Sequence, residues 1–441
     1  TVRIEENNRR WGRWTDDPVT HDTWFWQKVT VTASSEKTYS YPITLTALGP
    51  DPYTAVLRVE VASANEYPLS PDHHLRLSVN GSLVGEDSWD GIVGRVITLP
   101  LSSELLQEGR NEVSLTIVAD AGTQSIYFNW AEVTFRRQMV AQDDRLDFSA
   151  PFDGKVAYSV AGFTKKPIRL YDLSDPFAPL VLTDAELQGA APPWNLVFTV
   201  NRVAGQPFLA VADAEIQDVP GLTHYQPALE LLSPNMGADE IMIVPDEFYA
   251  AIQPLATHRR AEGLRVEVVR VKDIYALFNG GVFHPEAIRT FLAYAYKNWK
   301  NPAPAYALLV GDGHFNFKDY RPDRYGDPSP IYIPPYLDFV DPWEGEVPVD
   351  TRYGQIVGDD TFPDLAVGRL PANSAQEVSA AVAKIIGYEA QSTPPWQDRI
   401  ILTADNVPDS GGDFEGVLDR LAAELIPPGL EQEKVYLTDY C

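Results

Sequence analysis

The stretch Tyr306-Ala-Leu-Leu-Val-Gly-Asp312-Gly-His314, with its sequel Val349-Asp-Thr-Arg-Tyr-Gly-Gln-Ile-Val-Gly-Asp359-Asp360-Thr-Phe-Pro-Asp364-Leu-Ala-Val-Gly-Arg369-Leu370, decides the fold. An apolar run closed by Gly and Asp reads as a central strand of a parallel sheet, because strands covered by helices on both faces lose the polar alternation. Open α/β sheets carry their chemistry at the carboxyl ends of such strands. Asp312 then stands at the functional edge.

The flanking sequence has the matching period. Glu240-Ile-Met-Ile-Val reads as a strand, and Asp246 to Arg260 as a helix with acids in its first turn and cations in its last, as the helix dipole favours. Leu264 to Val271 is the next strand and Pro285 to Trp299 the next helix. Tyr306–Val310, a helix over 375–388, a strand over Ile400–Ala404, a helix over 414–425 and a fifth strand at Lys434–Leu437 complete the alternation. Strand–helix alternation with short connections predicts a mostly parallel sheet flanked by helices.

Towards the N-terminus the period is two. Lys28–Thr32, Tyr39–Leu45, Ala55–Val61, His74–Val79, Gly94–Leu99, Asn111–Val118 and Ala131–Phe135 alternate apolar and polar residues, which predicts an antiparallel β-sandwich. Asn80-Gly81 between two such runs is a type I′ hairpin signal. Thr1–Trp26 shows no period. A second β-rich stretch follows, with strands at Lys155–Phe163, Pro167–Leu173, Trp194–Val200 and Phe208–Ala212. The expected domains are 1–145, a β-sandwich; 146–224, a small β module; and 225–441, the α/β part.

Composition narrows the function. The 441 residues are 44% hydrophobic and 22% charged, as in chains that bury a full core. A formal net charge of −27 argues against nucleic acid and against anionic membrane surfaces. No apolar run is long enough to span a bilayer, and the chain opens in polar sequence, as expected of a secreted or surface protein after signal-peptide removal. Cys441 is the single cysteine, so the chain holds no internal disulfide.

The quoted motifs carry a resemblance. Leu308-Leu-Val-Gly-Asp-Gly followed by Asp350-Thr-Arg-Tyr-Gly-Gln-Ile-Val-Gly-Asp-Asp-Thr-Phe-Pro-Asp-Leu-Ala-Val-Gly-Arg369 resembles the gingipain-type cysteine peptidases, the C25 group with a caspase-like fold. The resemblance runs from Tyr225 to Cys441, and Leu105-Leu-Gln-Glu-Gly-Arg-Asn-Glu-Val resembles a segment of the jelly-roll modules that precede C25 domains. It implies a secreted endopeptidase acting on protein or peptide substrates through a Cys/His dyad. The family's His, in a Gly-His-Gly turn, and its Cys, on a later strand, have no counterparts here. The dyad is expected beyond residue 441, and the chain alone is expected to be inactive. The missing C-terminal part of the same precursor is then a candidate partner.

The same resemblance implies a structural Ca²⁺ held by Asp312, Asp360 and Asp364 with the carbonyls of Val357 and Phe362; Ca²⁺ takes such oxygens. It also implies a substrate-pocket wall at Asp413, where an Asp would pair with a guanidinium; His314, following Asp312 at a strand end, reads either as a residue lining the same cleft or as an exposed loop His. Asp413 reads equally as a helix N-cap, and Asp405 lies on the same Gly-rich loop. His258 and His284, at helix ends, read as capping residues. Cys441 reads as an ordinary thiol. A different class of function remains open: a non-catalytic adhesion or carbohydrate-binding protein, with Trp14, Trp24 or Trp89 as a stacking platform on the sandwich.

Overall fold

The structure is a computed structural model of the whole chain. It describes all residues except 12–22, 33–34, 51, 151, 220, 222, 321–329, 342–344, 392–394, 406–407, 409–410 and 441. Trp14 and Cys441 therefore lie outside the described residues. The chain divides into two compact units. The first comprises Thr1–Gln226 with Phe315–Pro328 and Tyr336–Val349; the second comprises Pro227–His314, Ser329–Pro335 and Asp350–Cys441.

The sandwich of the first unit follows from alternation. In Thr54–Ser63 and His73–Val79 every second side chain is buried, and these sides meet in one core. One sheet orders Val2–Glu5, Gln124–Thr134, Thr54–Ser63 and Gly94–Ser102, with Gln27–Val31 also pairing with Gln124–Thr134. The other orders Lys37–Leu45, Gly109–Ile117, His73–Val79 and Ser82–Trp89. The core includes Leu57, Val59, Leu75, Leu77, Val113 and Phe128, each fully buried. Burial of one such side chain is worth about 1.5–3 kcal/mol. Asn80 and Gly81, at φ 49° and 81°, form the expected left-handed hairpin turn. Buried Asn111 donates to the carbonyls of Gln107 and Gly109 and accepts from the Gln107 amide, so it shapes the Gly-Arg-Asn turn from inside.

Two expectations change here. Thr1–Trp26 is not without structure: Val2–Glu5 joins the first sheet, and Arg9–Arg10 pairs with Trp24–Phe25. Trp24 and Trp89 are 8% and 5% exposed. Trp24 packs edge-on against Tyr320 at 5.3 Å, and Trp89 stacks on His73 at 5.4 Å. Neither is a surface platform for a sugar.

The small β module folds as a second, smaller pair of sheets, one of Arg145–Ser149, Pro207–Ala212, Ile168–Asp172 and Leu180–Leu182, the other of Gly154–Phe163, Trp194–Arg202 and Glu186–Gln188. Val160, Phe163, Leu170, Leu196, Phe198 and Ala210 fill it. It belongs to the same compact unit as the sandwich, so the boundary expected near residue 145 divides two cores and not two units.

The second unit is α/β. Its strands are β1 (Glu240–Val244), β2 (Val266–Arg270), β3 (Tyr306–Val310), β4 (Ala366–Leu370), β5 (Arg399–Ala404) and β6 (Glu431–Tyr436). Its helices are α1 (Tyr249–Ala261), α2 (Val271–Phe278), α3 (Pro285–Asn298), α4 (Ala375–Glu389) and α5 (Phe414–Glu424). The central strand β1 is buried throughout, as a parallel strand covered on both faces must be. The parallel strands form two sheets: four in the order β2-β1-β3-β4, and a separate pair β5-β6. β4 is the fourth strand of the main sheet, and the 400–404 and 434–437 strands expected there make the second sheet instead. Ala-Val-Gly-Arg-Leu gave no strand signal, because its Gly and Arg interrupt the apolar run.

The segments 315–328 and 336–349, expected within the α/β part, group with the first unit. Leu337–Asp341 and Gly345–Pro348 form a hairpin there, and Glu346, whose side chain is 5% exposed, pairs with Arg10. The Arg10 guanidinium also lies 4.4 Å over the Phe315 ring, against which Trp24 stacks. Removing one partner of a buried ion pair costs about 3–5 kcal/mol, because the other charge stays buried. Arg10→Ala is expected to lower the stability of the first unit by about that amount, with faster amide exchange across 337–348 and unchanged exchange in Thr54–Ser63. Unchanged exchange in the hairpin would refute this role.

Candidate functional site: the carboxyl edge of the parallel sheet

β3 ends in Gly311-Asp312-Gly313-His314, and both glycines are needed there. A Cβ on Gly311 would lie 2.6 Å from the Tyr332 Cβ, and one on Gly313 would lie 2.4 Å from the Ile333 carbonyl oxygen. Contacts that short displace backbone. The glycines let the segment 332–335 press onto the strand end, where the amides of Tyr332 and Ile333 both donate to the Asp312 carbonyl at 3.0 and 3.2 Å. The Asp312 carboxylate accepts from the Gly313 amide at 2.8 Å and from the Asn373 side chain at 3.1 Å. Half-buried His314 follows on the same loop.

Arg369, near the end of β4, holds this edge together. Its Nε and Nη2 donate to the two Asp350 carboxylate oxygens at 2.5 and 2.9 Å. Nη1 donates to the carbonyls of Gly311 and Ile333 at 2.8 and 2.9 Å, and Nη2 reaches the Pro334 carbonyl at 3.3 Å. Only a planar fork with five N–H donors serves so many acceptors at once. Tyr353, fully buried, donates its hydroxyl to the same Pro334 carbonyl.

The rest of the motif shapes a loop. Asp364 accepts the amides of Ile356 and Val357 at 3.0 and 2.8 Å, and Gln355 donates to the Thr361 carbonyl at 2.7 Å. Arg289 of α3 donates to the Gln355 carbonyl at 2.8 Å. Asp360 accepts the Phe362 amide at 2.9 Å. The side chains of Val357 and Phe362 are 52% and 78% exposed.

The residues expected to bind Ca²⁺ do not converge. Asp312 follows the carboxyl end of β3, level with Ala372 beyond β4, whereas Asp364 precedes the amino end of β4. A five-residue strand rises about 13 Å from its first residue to its last, too far for both carboxylates to share one ion. Asp360 and Asp364 also serve as staples of their own loop. Asp312, Val357, Asp360, Phe362 and Asp364 thus do not fit a single Ca²⁺ as one set. Asp312 and Asp364 each sit beside a strand, and sequence does not show that β4 runs between them.

Among the described residues, one group of His, Asp and Glu brings ligand atoms within 4.8 Å of one another: His258, Glu262 and Glu389. Arg259 donates to both Glu389 oxygens at 2.8 Å, and His258 Nε2 lies 2.9 Å from the same carboxylate. With a guanidinium already seated on Glu389, this is an ion network joining α1 to α4. It is more than the helix-end role expected of His258. His284 does cap α3, its Nδ1 accepting the Glu286 amide at 3.1 Å. Asp413 caps α5, its carboxylate accepting the Gly416 amide at 2.9 Å, and Asp405 is exposed after β5.

Parallel β/α units of this order, preceded by β-sandwich modules, define a multidomain protein with a caspase-like α/β part. Residues 233–441 match the profile of peptidase family C25. Gingipain R2 of Porphyromonas gingivalis strain W83 is 28% identical over 171 residues, which are 39% of this chain and 19% of that protein. Gingipain R1 of Porphyromonas gingivalis is 28% identical over 153 residues, 35% of this chain and 12% of that protein. The crystal structure of dimeric latent PorU from Porphyromonas gingivalis superposes with a TM-score of 0.61 at 17% identity, over 88% of this chain and 38% of that one. Over residues 233–441 its α/β part is similar to peptidase family C25 and to the gingipains. The match spans about a fifth of the length of Gingipain R2.

The α1–α4 network makes a pH prediction. The Arg259 hydrogen bond, aided by His258, holds the Glu389 carboxyl below its ordinary value of 4.5. A carboxylate with a lowered folded pKa adds stability that is complete above its unfolded pKa and is lost as pH falls through the folded one. Glu389→Gln is expected to be less stable than the parent at pH 7, with the gap closing below about pH 4. Parallel denaturation midpoints against pH test this; a constant gap would contradict it.

Proposed function

We propose that this chain is part of a secreted, gingipain-type cysteine endopeptidase, and that nucleophile and base are supplied by polypeptide beyond the elements described. The observation that supports this is the second sheet. β5 and β6 are a parallel pair with α5 packed on Leu402 and Tyr436, yet Ile401 is 58% exposed on the opposite side. On α5 and just after it, Phe414, Val417 and Leu425 are 48%, 48% and 74% exposed. Parallel sheets are found with both faces covered, and two strands rarely suffice alone. More polypeptide of the same domain would cover these faces, and the family's Cys and His belong to such later elements.

The chemistry would be thiolate attack on a peptide carbonyl, with a neighbouring His taking the thiol proton and returning it to the leaving amine. The chain's share is structural. The carboxyl edge of β3 and β4, tied by Arg369, forms part of the wall against which substrate lies, and Asp312 and His314 are its polar groups. Asp413, as a helix cap, keeps the adjoining loop in place. An extracellular location and protein substrates are part of the same reading. Among the described residues no helix is long and apolar enough to cross a membrane.

The test uses a protein that contains the whole C25 domain. Thiol-dependent cleavage of a peptide library, abolished by iodoacetamide, is expected from it, and none from residues 1–441 alone. Cleavage by 1–441, or none by the longer protein after activation, would overturn the reading.

A further inference from the structure

The inward face of Trp194–Arg202 in the small β module carries Leu196, Phe198 and Val200, and the alternation calls for one more apolar residue at 202. The position holds an arginine, 3% exposed. Nη1 of Arg202 donates to the Phe152 carbonyl, while Nε and Nη2 are buried with no hydrogen-bond partner among the described residues. The Tyr158 hydroxyl is also buried without a partner among the described residues, and its ring lies 5.5 Å from the Arg202 guanidinium. The Phe152 ring sits 4.2 Å over the same guanidinium while remaining 57% exposed.

Two aromatic faces offset part of the cost of burying this cation. They do nothing for the donors, which lie in the guanidinium plane. An unpaired buried donor is costly, the more so when it is charged. The free pair is Nε with Nη2, the edge that meets a carboxylate through two parallel hydrogen bonds. Asp153, next to Phe152 in the chain, accepts the Ala204 amide, and Asp172 accepts from Ser174 and Gln206.

We propose that Arg202, with Tyr158, is a closed carboxylate-binding site in the small β module, and that the exposed Phe152 ring is its cover. Its ligand is a carboxylate borne by a polypeptide, either an acidic side chain or a free C-terminus, entering as Phe152 swings away. The site is separate from peptide hydrolysis and does not depend on it.

The experiment uses the 1–441 chain with ¹⁵N-labelled arginine. The Arg202 Nε–H signal, assigned by its loss in Arg202→Met, is followed during titration with acetate at constant ionic strength, chloride replacing acetate. N-acetylglycine and N-acetylglutamate α-amide then distinguish a C-terminal from a side-chain carboxylate. The signal is expected to move and saturate with acetate and not with chloride. Tyr158→Phe should weaken binding several-fold, and Phe152→Ala should speed it. Should Arg202→Met fail to fold, Tyr158→Phe, which removes one oxygen, carries the comparison. A signal indifferent to all three carboxylates, or one moving equally with chloride, would overturn the proposal and leave Arg202 as a cation solvated by buried water.

Discussion

The α/β unit depends on one side chain, the Arg369 guanidinium. It ties β3, the segment 332–335 and the start of the 350–354 turn to β4 through three backbone carbonyls and one carboxylate. Hydrogen bonds to a charged group are worth about 1.5–3 kcal/mol, above neutral ones. Lysine would bring a point charge with no planar fork and could not serve these acceptors together. The Gly-Arg pair of the motif is therefore a joint between strands. The glycines around Asp312 are the other half of that joint, since they admit the segment whose carbonyls Arg369 binds.

Seen this way, the residues that make the C25 resemblance recognisable are mostly architectural. Tyr353, Asp364 and Arg369 each satisfy backbone groups within a few residues of a strand end, and Asp350 holds the Arg369 guanidinium. An irregular segment near a sheet must place every N–H and C=O, and side chains do it where no ladder can. The motif thereby fixes the loops at both ends of β4.

Much of this was legible in the sequence. Apolar runs gave β1 and β3, the Asn80-Gly81 turn marked its hairpin, and the change of period from two to strand–helix alternation separated the halves of the chain. Other features depend on long-range packing. Trp24 and Trp89 look like surface aromatics until their neighbours from distant segments are known. Asp312 and Asp364 look like one acidic cluster until the parallel register puts β4 between them. The 336–349 hairpin lies between two α/β elements in sequence, and its place in the first unit rests on Arg10 and Glu346, far apart in the chain. The strand expected at Trp194–Val200 stops short of Arg202, so neither its inward position nor its missing acceptors were legible.

The central claim is that Arg369 ties the carboxyl edge of the sheet. Amide hydrogen exchange of Arg369→Lys against the parent chain tests it most directly. The account predicts faster exchange at Tyr332 and Ile333 and little change at Ile356 and Val357, whose acceptor is Asp364. Protection of Tyr332 and Ile333 unaltered by the substitution would contradict it.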